Sequence, residues 1–409
     1  MQTLSRLTGA AYGVHVSDQV ALVSVPLIAA LVLDASAAAI GLLVACQSMA
    51  HLVGSIPFGI LVDSTQQRTL TIVACLTTLV GSAMAVIAIL RESLVFFGAA
   101  MTLAGFGVVL FGLAALSIVP KIAARDGLAR ANAAIEVPRA TASFIVPLLI
   151  GLSFTSVAPV VIFLGSAAAS VMALAFAIAL PTVDMQPAAR TGVLKRIIEG
   201  GAFVLGHRLL LPISICAICW NLAFAALLVV LVPVIHQVYL MDPGVFGVGL
   251  SAFGLAAICG TTVMRHLSDR LAPNLLLLFG PGSSALASLG LVLIPAHSTP
   301  LVFYACMFLL GFGPSMWLVT QNSVRQLVTP ADRLGRVNAV IQTAIYGIRP
   351  LGALLGGLVA DTYGPQAGLG VVMVAFLMSF LAAALSDLRE IRSYGTLSAA
   401  EDYAEDAAR

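Results

Sequence analysis

Twelve long apolar runs limit the folds open to this chain more than any other feature of its sequence. Each run has at least 20 residues, and a helix needs about 20 to cross a bilayer. Because backbone amides in hydrocarbon have no water to bind, such runs must be helical. They also lack the alternation of barrel strands. The predicted spans are 9–33, 38–62, 69–90, 94–119, 133–156, 159–180, 209–235, 245–264, 274–295, 300–322, 338–360 and 366–386. The sequence therefore predicts an all-α integral membrane protein with twelve transmembrane helices.

Charge is scarce and is concentrated at the ends of the runs. Only 9% of the residues are charged, whereas soluble domains carry roughly 25%. Lipid must therefore be the main solvent of the chain, and a net charge of +2 gives no reason to expect nucleic-acid binding. With an N-terminus inside the cell, 18 of the 20 lysines and arginines fall on the inner side. The positive-inside rule then predicts that both termini are cytoplasmic.

The chain repeats itself at an offset of 206 residues. The segment from Asp126 to Ile135 returns as the segment from Asp332 to Ile341, with six of ten positions identical, and Asp63 returns as Asp269. Matched halves of the same polarity are typical of secondary transporters with a binding site between the halves. The predicted parts are a six-helix bundle over 1–180, a cytoplasmic linker over 181–208, a second six-helix bundle over 209–388 and a largely disordered cytoplasmic tail over 389–409. Within the linker, 190–206 is predicted to form a short helix on the inner membrane face.

The loop after the second span carries a recognisable motif. Gly59-Ile-Leu-Val-Asp63 continues to Arg68, and this spacing resembles the loop signature of the major facilitator superfamily. A glycine permits close helix packing, the aspartate can cap the next helix, and Arg68 can neutralise the aspartate. The resemblance implies that Gly59, Asp63 and Arg68 latch the two halves together. The second copy keeps Asp269 but has Asn274 in place of the arginine, which argues against a matching latch there.

The two repeat segments, together with the stretch from Pro350 to Asp361, resemble the bacterial exporters of the enterobactin-exporter and macrolide-efflux type. This resemblance covers nearly all twelve spans. It implies a two-bundle, pseudo-symmetric fold in the bacterial cytoplasmic membrane, no cofactor, and export of a siderophore or an amphiphilic drug against a proton gradient. Span 5 lacks the usual Gly-Pro motif and span 4 has no basic residue before Lys121, so proton antiport must depend on other residues.

Four titratable or charged residues are predicted to lie near the middle of the membrane: His15 and Asp18 in span 1, His51 in span 2 and Arg349 in span 11. An ionisable residue inside a span is costly and is by default a functional candidate. The hypothesis is that Asp18 and Arg349 form an ion pair that opens when Asp18 takes up a proton, which allows a proton to exchange for cargo. The alternative is a structural ion pair that locks span 1 to span 11.

Neutral polar residues in the spans are candidates for the cavity wall: Asn221, Trp220, Gln47 and Gln342. Glu136 and Arg139, spaced by three residues at the end of span 5, can pair on one helix face. They are interpreted as a cytoplasmic gate, with an ordinary solvated pair as the alternative.

The main prediction is therefore a monomeric, proton-coupled exporter of a small molecule embedded in lipid. The alternative on the same fold is a facilitator or importer of a small polar or ionic solute. An enzyme would need clustered carboxylates or metal ligands at one membrane face, and the sequence has neither these nor a phosphate-binding glycine loop. No catalytic residue and no metal site is therefore predicted.

Overall fold

Every regular element among the described residues is a helix, and twelve of these helices are long and apolar enough to span a membrane. The structure is a computed structural model, and it describes residues 2–122, 128–182, 193–267, 270–330 and 333–397. Within these residues each predicted run coincides with one such helix, which confirms the all-α, twelve-span prediction.

The first six spans are α1 (Gln2–Leu31), α2 (Ala37–Ser64), α3 (Gln67–Leu90), α4 (Leu94–Ile122), α5 (Leu128–Ser153) and α6 (Pro159–Ile178). A short helix, α7 (Val193–Gly206), follows in the linker. The remaining spans are α8 (Leu210–Pro233, extended by a π-helical turn to Val238), α9 (Gly244–Leu267), α10 (Pro273–Val292), α11 (Pro300–Val328), α12 (Leu334–Tyr363) and α13 (Pro365–Ala384).

Local signals in the sequence set several of these boundaries. A proline occupies the first turn of α6, α10, α11 and α13, where its missing N–H costs nothing. Ser36 caps α2 by accepting a hydrogen bond from the backbone N–H of Ala39. Gly364 separates α12 from α13 with a φ of 91°, a conformation that other residues rarely adopt.

The helices group into two compact units. Unit 1 contains Met1–Ala189 and Leu231–Ser251, and unit 2 contains Arg190–Val230 and Ala252–Arg409. This grouping follows spatial contacts, whereas the predicted division at 180, 208 and 388 follows the sequence repeat. The predicted boundaries of the two halves stay a prediction.

In unit 1, glycines and serines allow close packing of the helices. Gly81 of α3 lies against the backbone of α4 at Ala100 and Ala104. The Ser17 hydroxyl of α1 lies 2.8 Å from that of Ser170 on α6, and it also donates to the Ser166 carbonyl at 3.0 Å. Small and hydroxyl residues at helix contacts are typical of membrane proteins, where lipid supplies no hydrophobic force between helices.

In unit 2 the corresponding helices meet in a similar way. Gly313 of α11 lies against Ser283 of α10, as α3 meets α4 in unit 1. Ser379 of α13 donates its hydroxyl to the Cys216 carbonyl of α8 at 2.9 Å, as α1 meets α6. The internal packing of each unit therefore reflects the sequence repeat.

The start of the C-terminal tail is folded over its described residues, and the prediction that 389–409 is largely disordered stays a prediction. Residues 387–390 and 394–396 form short 3₁₀ turns. Leu388 and Ile391 are buried in a cluster with residues of α7, α8 and α12. The polar composition of the tail does not indicate this anchoring, because it depends on two apolar side chains.

Candidate functional site

In unit 1, the candidate site is built around the middle of α1. Ser17 faces α6 through its hydroxyl bonds, and the next residue, Asp18, is turned by about 100° around the same helix. Asp18 is partly buried. His15 lies three residues earlier, on the same face of α1. The hydroxyl contacts to α6 therefore fix the rotation of α1 and, with it, the direction of Asp18.

The imidazole of His15 is held by apolar packing. It meets the ring of Phe111 on α4 edge-to-face, with 6.4 Å between ring centroids. Its Nδ1 atom is buried, and no described residue hydrogen-bonds to it. A buried polar atom without a partner is costly, so this nitrogen is a candidate for exchanging a proton or binding a ligand.

The structure gives less detail on Gln47 and His51, the other two candidate residues of unit 1. Gln47 of α2 is partly buried. The His51 side chain lies outside the described residues, so its role stays a prediction.

In unit 2, Arg349 is hydrogen-bonded to a buried asparagine. Its Nε–H donates to the Oδ1 atom of Asn221 on α8 at 2.9 Å. Asn221 is 8% exposed, and its own Nδ2 donates to the Ala217 carbonyl one turn earlier at 2.9 Å. The Arg349 guanidinium carbon also lies 5.4 Å from the centre of the Tyr346 ring, a favourable position for a cation. Asn221 therefore orients one edge of the guanidinium.

A glycine explains how this contact forms. Gly352, one turn after Arg349, lies directly against the backbone of Leu222, one residue after Asn221. A side chain at position 352 would separate α12 from α8 at this point. The close approach therefore brings the arginine within hydrogen-bonding distance of the asparagine.

Trp220 is committed to packing within unit 2. Its Nε1–H donates to the Ser284 hydroxyl of α10 at 3.0 Å, its ring stacks on Phe224 at 5.1 Å, and it meets Phe376 of α13 at 6.0 Å. Its indole N–H is therefore already bonded, and a ligand could use only the surface of the ring. Gln342 is exposed on α12.

The ion pair predicted between Asp18 and Arg349 joins residues of different units, and it stays a prediction. Within the described residues no group of three or more His, Cys, Asp or Glu side chains could hold a metal ion.

The arginine of the predicted latch binds the end of α6. The Nη2 atom of Arg68 donates to the Ile178 carbonyl at 2.8 Å, and the Nη1 atom of Arg6 donates to the Ala179 carbonyl at 2.5 Å. Cations are favoured at this end of a helix because its last carbonyls have no partner in the helix. The side chain of Asp63, the surroundings of Gly59 and the whole of Asp269 lie outside the described residues. The latch itself therefore stays a prediction.

The second half has an equivalent tie, which the sequence argument missed. Asn274, the repeat mate of Arg68, donates its Nδ2–H to the Arg389 carbonyl at 2.9 Å, and its backbone N–H bonds to the Ile391 carbonyl at 2.9 Å. An amide thus binds the chain after α13 much as an arginine binds the end of α6. The useful signal was that arginine and asparagine both carry N–H donors.

Glu136 and Arg139 lie inside α5, and Arg325 lies in the last turn of α11. Glu136 and Arg139 form the predicted pair, with 2.7 Å between Nη2 and Oε2, and both side chains are about 60% exposed. Arg325 lies three residues past the predicted end of span 10 at residue 322. The helix α11 continues to Val328, and Arg325 Nη2 donates to the Asn322 Oδ1 at 2.6 Å.

Comparison with known proteins gives consistent matches along the chain. The family model of the Major Facilitator Superfamily matches residues 10–353. The enterobactin exporter EntS of Citrobacter koseri is 27% identical over 293 residues, which cover 70% of this chain and 68% of that protein. The enterobactin exporter EntS of Escherichia coli K12 is 26% identical over 292 residues, which cover 70% and 69%.

Solved structures agree in fold. The nucleoside transporter NupG has a TM-score of 0.75 at 12% identity, covering 94% of this chain and 98% of that one. The D-xylose–proton symporter has a TM-score of 0.72 at 13% identity, covering 97% and 98%. At such low identity these likenesses establish the fold alone.

Proposed function

Because this chain belongs to the Major Facilitator Superfamily and is thus a multi-pass membrane transporter rather than an enzyme, we propose that it exports a siderophore or an amphiphilic drug-like molecule in exchange for protons. The direction is supported by relatives that are named enterobactin exporters. Alternating access, as in other transporters built from two matched halves, would carry the cargo across.

The observation that carries the proposal is an arginine inside a membrane span, positioned by a buried asparagine. A cation at this depth is expensive and is by default functional. Asn221 binds Arg349 through Nε, which gives the guanidinium a defined orientation within α12. Planar guanidinium groups recognise carboxylates and other flat oxygen acceptors well. We assign Arg349 to the binding of an electron-rich oxygen group on the cargo.

The proton is assigned to α1. Asp18 is partly buried at mid-helix, and the unpartnered Nδ1 atom of His15 lies on the same face. Protonation would remove the charge of Asp18 and with it the cost of moving that charge through a closed, water-poor state. Asp18 is the proposed coupling residue and His15 an auxiliary proton site.

The test compares Asp18→Asn with Asp34→Asn. Asp34 is exposed in the loop that follows α1, so it undergoes the same chemical change outside the proposed site. Both variants are reconstituted in proteoliposomes, and the uptake of enterobactin and of ethidium is driven by an imposed pH gradient. We expect Asp18→Asn to lose gradient-driven transport and Asp34→Asn to retain it. Gradient-driven transport by Asp18→Asn at the wild-type rate would refute the coupling role.

Direction needs a separate measurement in cells. An exporter should lower the cellular content of the probe, and an uncoupler should restore it. A fall in cellular content on adding the uncoupler would instead indicate a gradient-driven importer, and a content that does not respond to the uncoupler would indicate a facilitator.

The proposal also places the protein in the bacterial cytoplasmic membrane as a monomer, with both termini inside the cell. Labelling of cysteines introduced in the outer loop at Arg91 and in the tail at Arg392 would test the orientation. We expect a membrane-impermeant maleimide added outside intact cells to label only the first.

A further inference from the structure

The linker helix α7 is fixed to the start of α12 by one of its faces. Glu199 forms an ion pair with Arg336 at 2.6 Å, and the guanidinium of Arg333 lies 5.5 Å from the centre of the Phe203 ring. Gly200 lies against the backbone of Arg336, where a Cβ atom would come within 2.8 Å of the carbonyl oxygen. Val204 is buried in the core of unit 2.

A different face of α7 carries exposed apolar side chains. Ile198 is 63% exposed and Leu205 is 69% exposed, and Ala202 is exposed between them. Their spacing of four and three residues places all three on the same side of the helix. A helix with one bound face and one exposed apolar face needs a second apolar environment for the exposed face.

The position of α7 in the chain limits what that environment can be. Gly206 ends α7 and Leu210 begins the span α8, so the two helices are four residue steps apart, at most about 14 Å. The turn between them is fixed, because His207 Nδ1 accepts the backbone N–H of Leu209 at 3.1 Å. Leu205 therefore lies close to the membrane surface.

The charge of the segment favours an anionic surface. Residues 190–208 contain four basic residues, Arg190, Lys195, Arg196 and Arg208, and a single acidic one, Glu199, which is paired with Arg336. Basic residues beside an amphipathic helix are attracted to anionic headgroups. Fourteen residues make α7 too short to span the bilayer.

We propose that α7 is an interfacial anchor whose face of Ile198, Ala202 and Leu205 inserts into an anionic phospholipid leaflet. Because its other face is bound to α12, the anchor ties the cytoplasmic end of that span to the lipid surface. This proposal does not depend on the cargo or on the direction of transport.

The test places a nitroxide on Leu205→Cys or Ile198→Cys in a variant whose six native cysteines are replaced by serine. The matched control is Arg392→Cys, an exposed residue of the tail. Collision with oxygen, which concentrates in lipid, is compared with collision with a nickel chelate, which stays in water. Vesicles contain either phosphatidylglycerol with phosphatidylethanolamine or phosphatidylcholine alone. A photo-crosslinking residue at position 205, in the native-cysteine background, gives a second readout of lipid contact.

We expect oxygen collisions to exceed nickel collisions at least threefold at positions 198 and 205 in the anionic vesicles, and the reverse at position 392. Water-like accessibility at 198 and 205 would overturn the anchor. Equal immersion in both vesicle types would refute the choice of anionic lipid. Protection from both reagents, together with crosslinks between copies of the chain, would assign the face to a protein contact and also overturn the proposal.

Discussion

Replacing Asn221 by leucine tests whether this buried amide orients Arg349. Leucine has a similar size but no acceptor for the Nε–H that now lies 2.9 Å from Oδ1. The variant also removes the bond from Nδ2 to the Ala217 carbonyl. Arg349 should then sample more rotamers while its position in α12 is unchanged.

The expected changes in stability and in cargo affinity follow from the lost hydrogen bonds and from the lost orientation of Arg349. A hydrogen bond to a charged group contributes about 1.5–3 kcal/mol, whereas bonds between transmembrane helices average only about 0.6 kcal/mol. We therefore expect the variant to be destabilised by about 1–2 kcal/mol. Ordering a long side chain costs about 0.5–1.5 kcal/mol on binding. Cargo that binds Arg349 should therefore bind about 2- to 12-fold more weakly, at 1.4 kcal/mol for each factor of ten.

The assay compares an aromatic acid with its ester in the same protein. Binding of salicylate and of methyl salicylate to the purified transporter is measured by titration, and stability is measured by thermal unfolding in detergent. Asn221→Leu should weaken the binding of salicylate and leave the binding of methyl salicylate unchanged. Asn221→Asp keeps the shape of the side chain and adds a carboxylate beside the Arg349 guanidinium. It should weaken the binding of salicylate further, without loss of thermal stability of the protein. Trp220→Phe, which removes the neighbouring bond to Ser284, is the control and should not distinguish the two ligands.

The reasoning fails if Asn221→Leu weakens acid and ester equally, because that result would show a general disturbance of the site. It also fails if Asn221→Asp binds the acid as tightly as the wild type does. In that case Asn221 would be a packing residue and Arg349 would have no role in recognising an acidic group.

Three further predictions concern the contacts that hold each unit together. Ser17→Val should destabilise unit 1 by about 1–2 kcal/mol, because it removes the hydroxyl links to α6; a thermal unfolding temperature equal to the wild type would refute this. Arg68→Gln should lose less than Arg68→Leu in the same assay, since an amide can still donate to the Ile178 carbonyl as Asn274 donates to the Arg389 carbonyl; equal losses would show that the donor is unimportant. A double-mutant cycle of Glu199→Gln and Arg336→Gln should give a coupling of about 0.2–1 kcal/mol that falls with added salt, because both side chains are more than a third exposed; a coupling insensitive to salt would contradict this explanation.

The twelve spans could be predicted because membrane helices must satisfy their own backbone and must be long. These two constraints act within one run of sequence, so no tertiary information is needed. The residues at which the helices end could be predicted less well. Helix α11 extends six residues past the predicted end of its span, and in this extension Arg325 donates a hydrogen bond to Asn322 one turn earlier.

The candidate site was only partly predictable. Depth in a span identified Asp18 and Arg349, since charge in hydrocarbon is costly wherever it occurs. The partner of Arg349 could not be predicted, because Gly352 brings α8 and α12 together at a point that no local pattern specifies. Trp220 was assigned to a cavity wall by its type, whereas its bond to Ser284 depends on a helix 64 residues away.

The two halves also show why a difference between repeat mates is weak evidence of function by itself. Arg68 and Asn274 differ in charge, yet Arg68 binds a carbonyl group at the end of the last span of its half and Asn274 binds one in the chain just after the last span of its own half. Position 349 is different in kind. Its mate, Ser143, donates its hydroxyl to the Ala140 carbonyl of its own helix, whereas Arg349 binds Asn221 on a neighbouring helix. The mate of Asp18 is Phe224, which stacks on Trp220 and Phe253. At positions 18 and 349, the residue and its interactions both differ from those of the repeat mate. These two positions are therefore stronger candidates for a role in transport than positions where only the residue type differs.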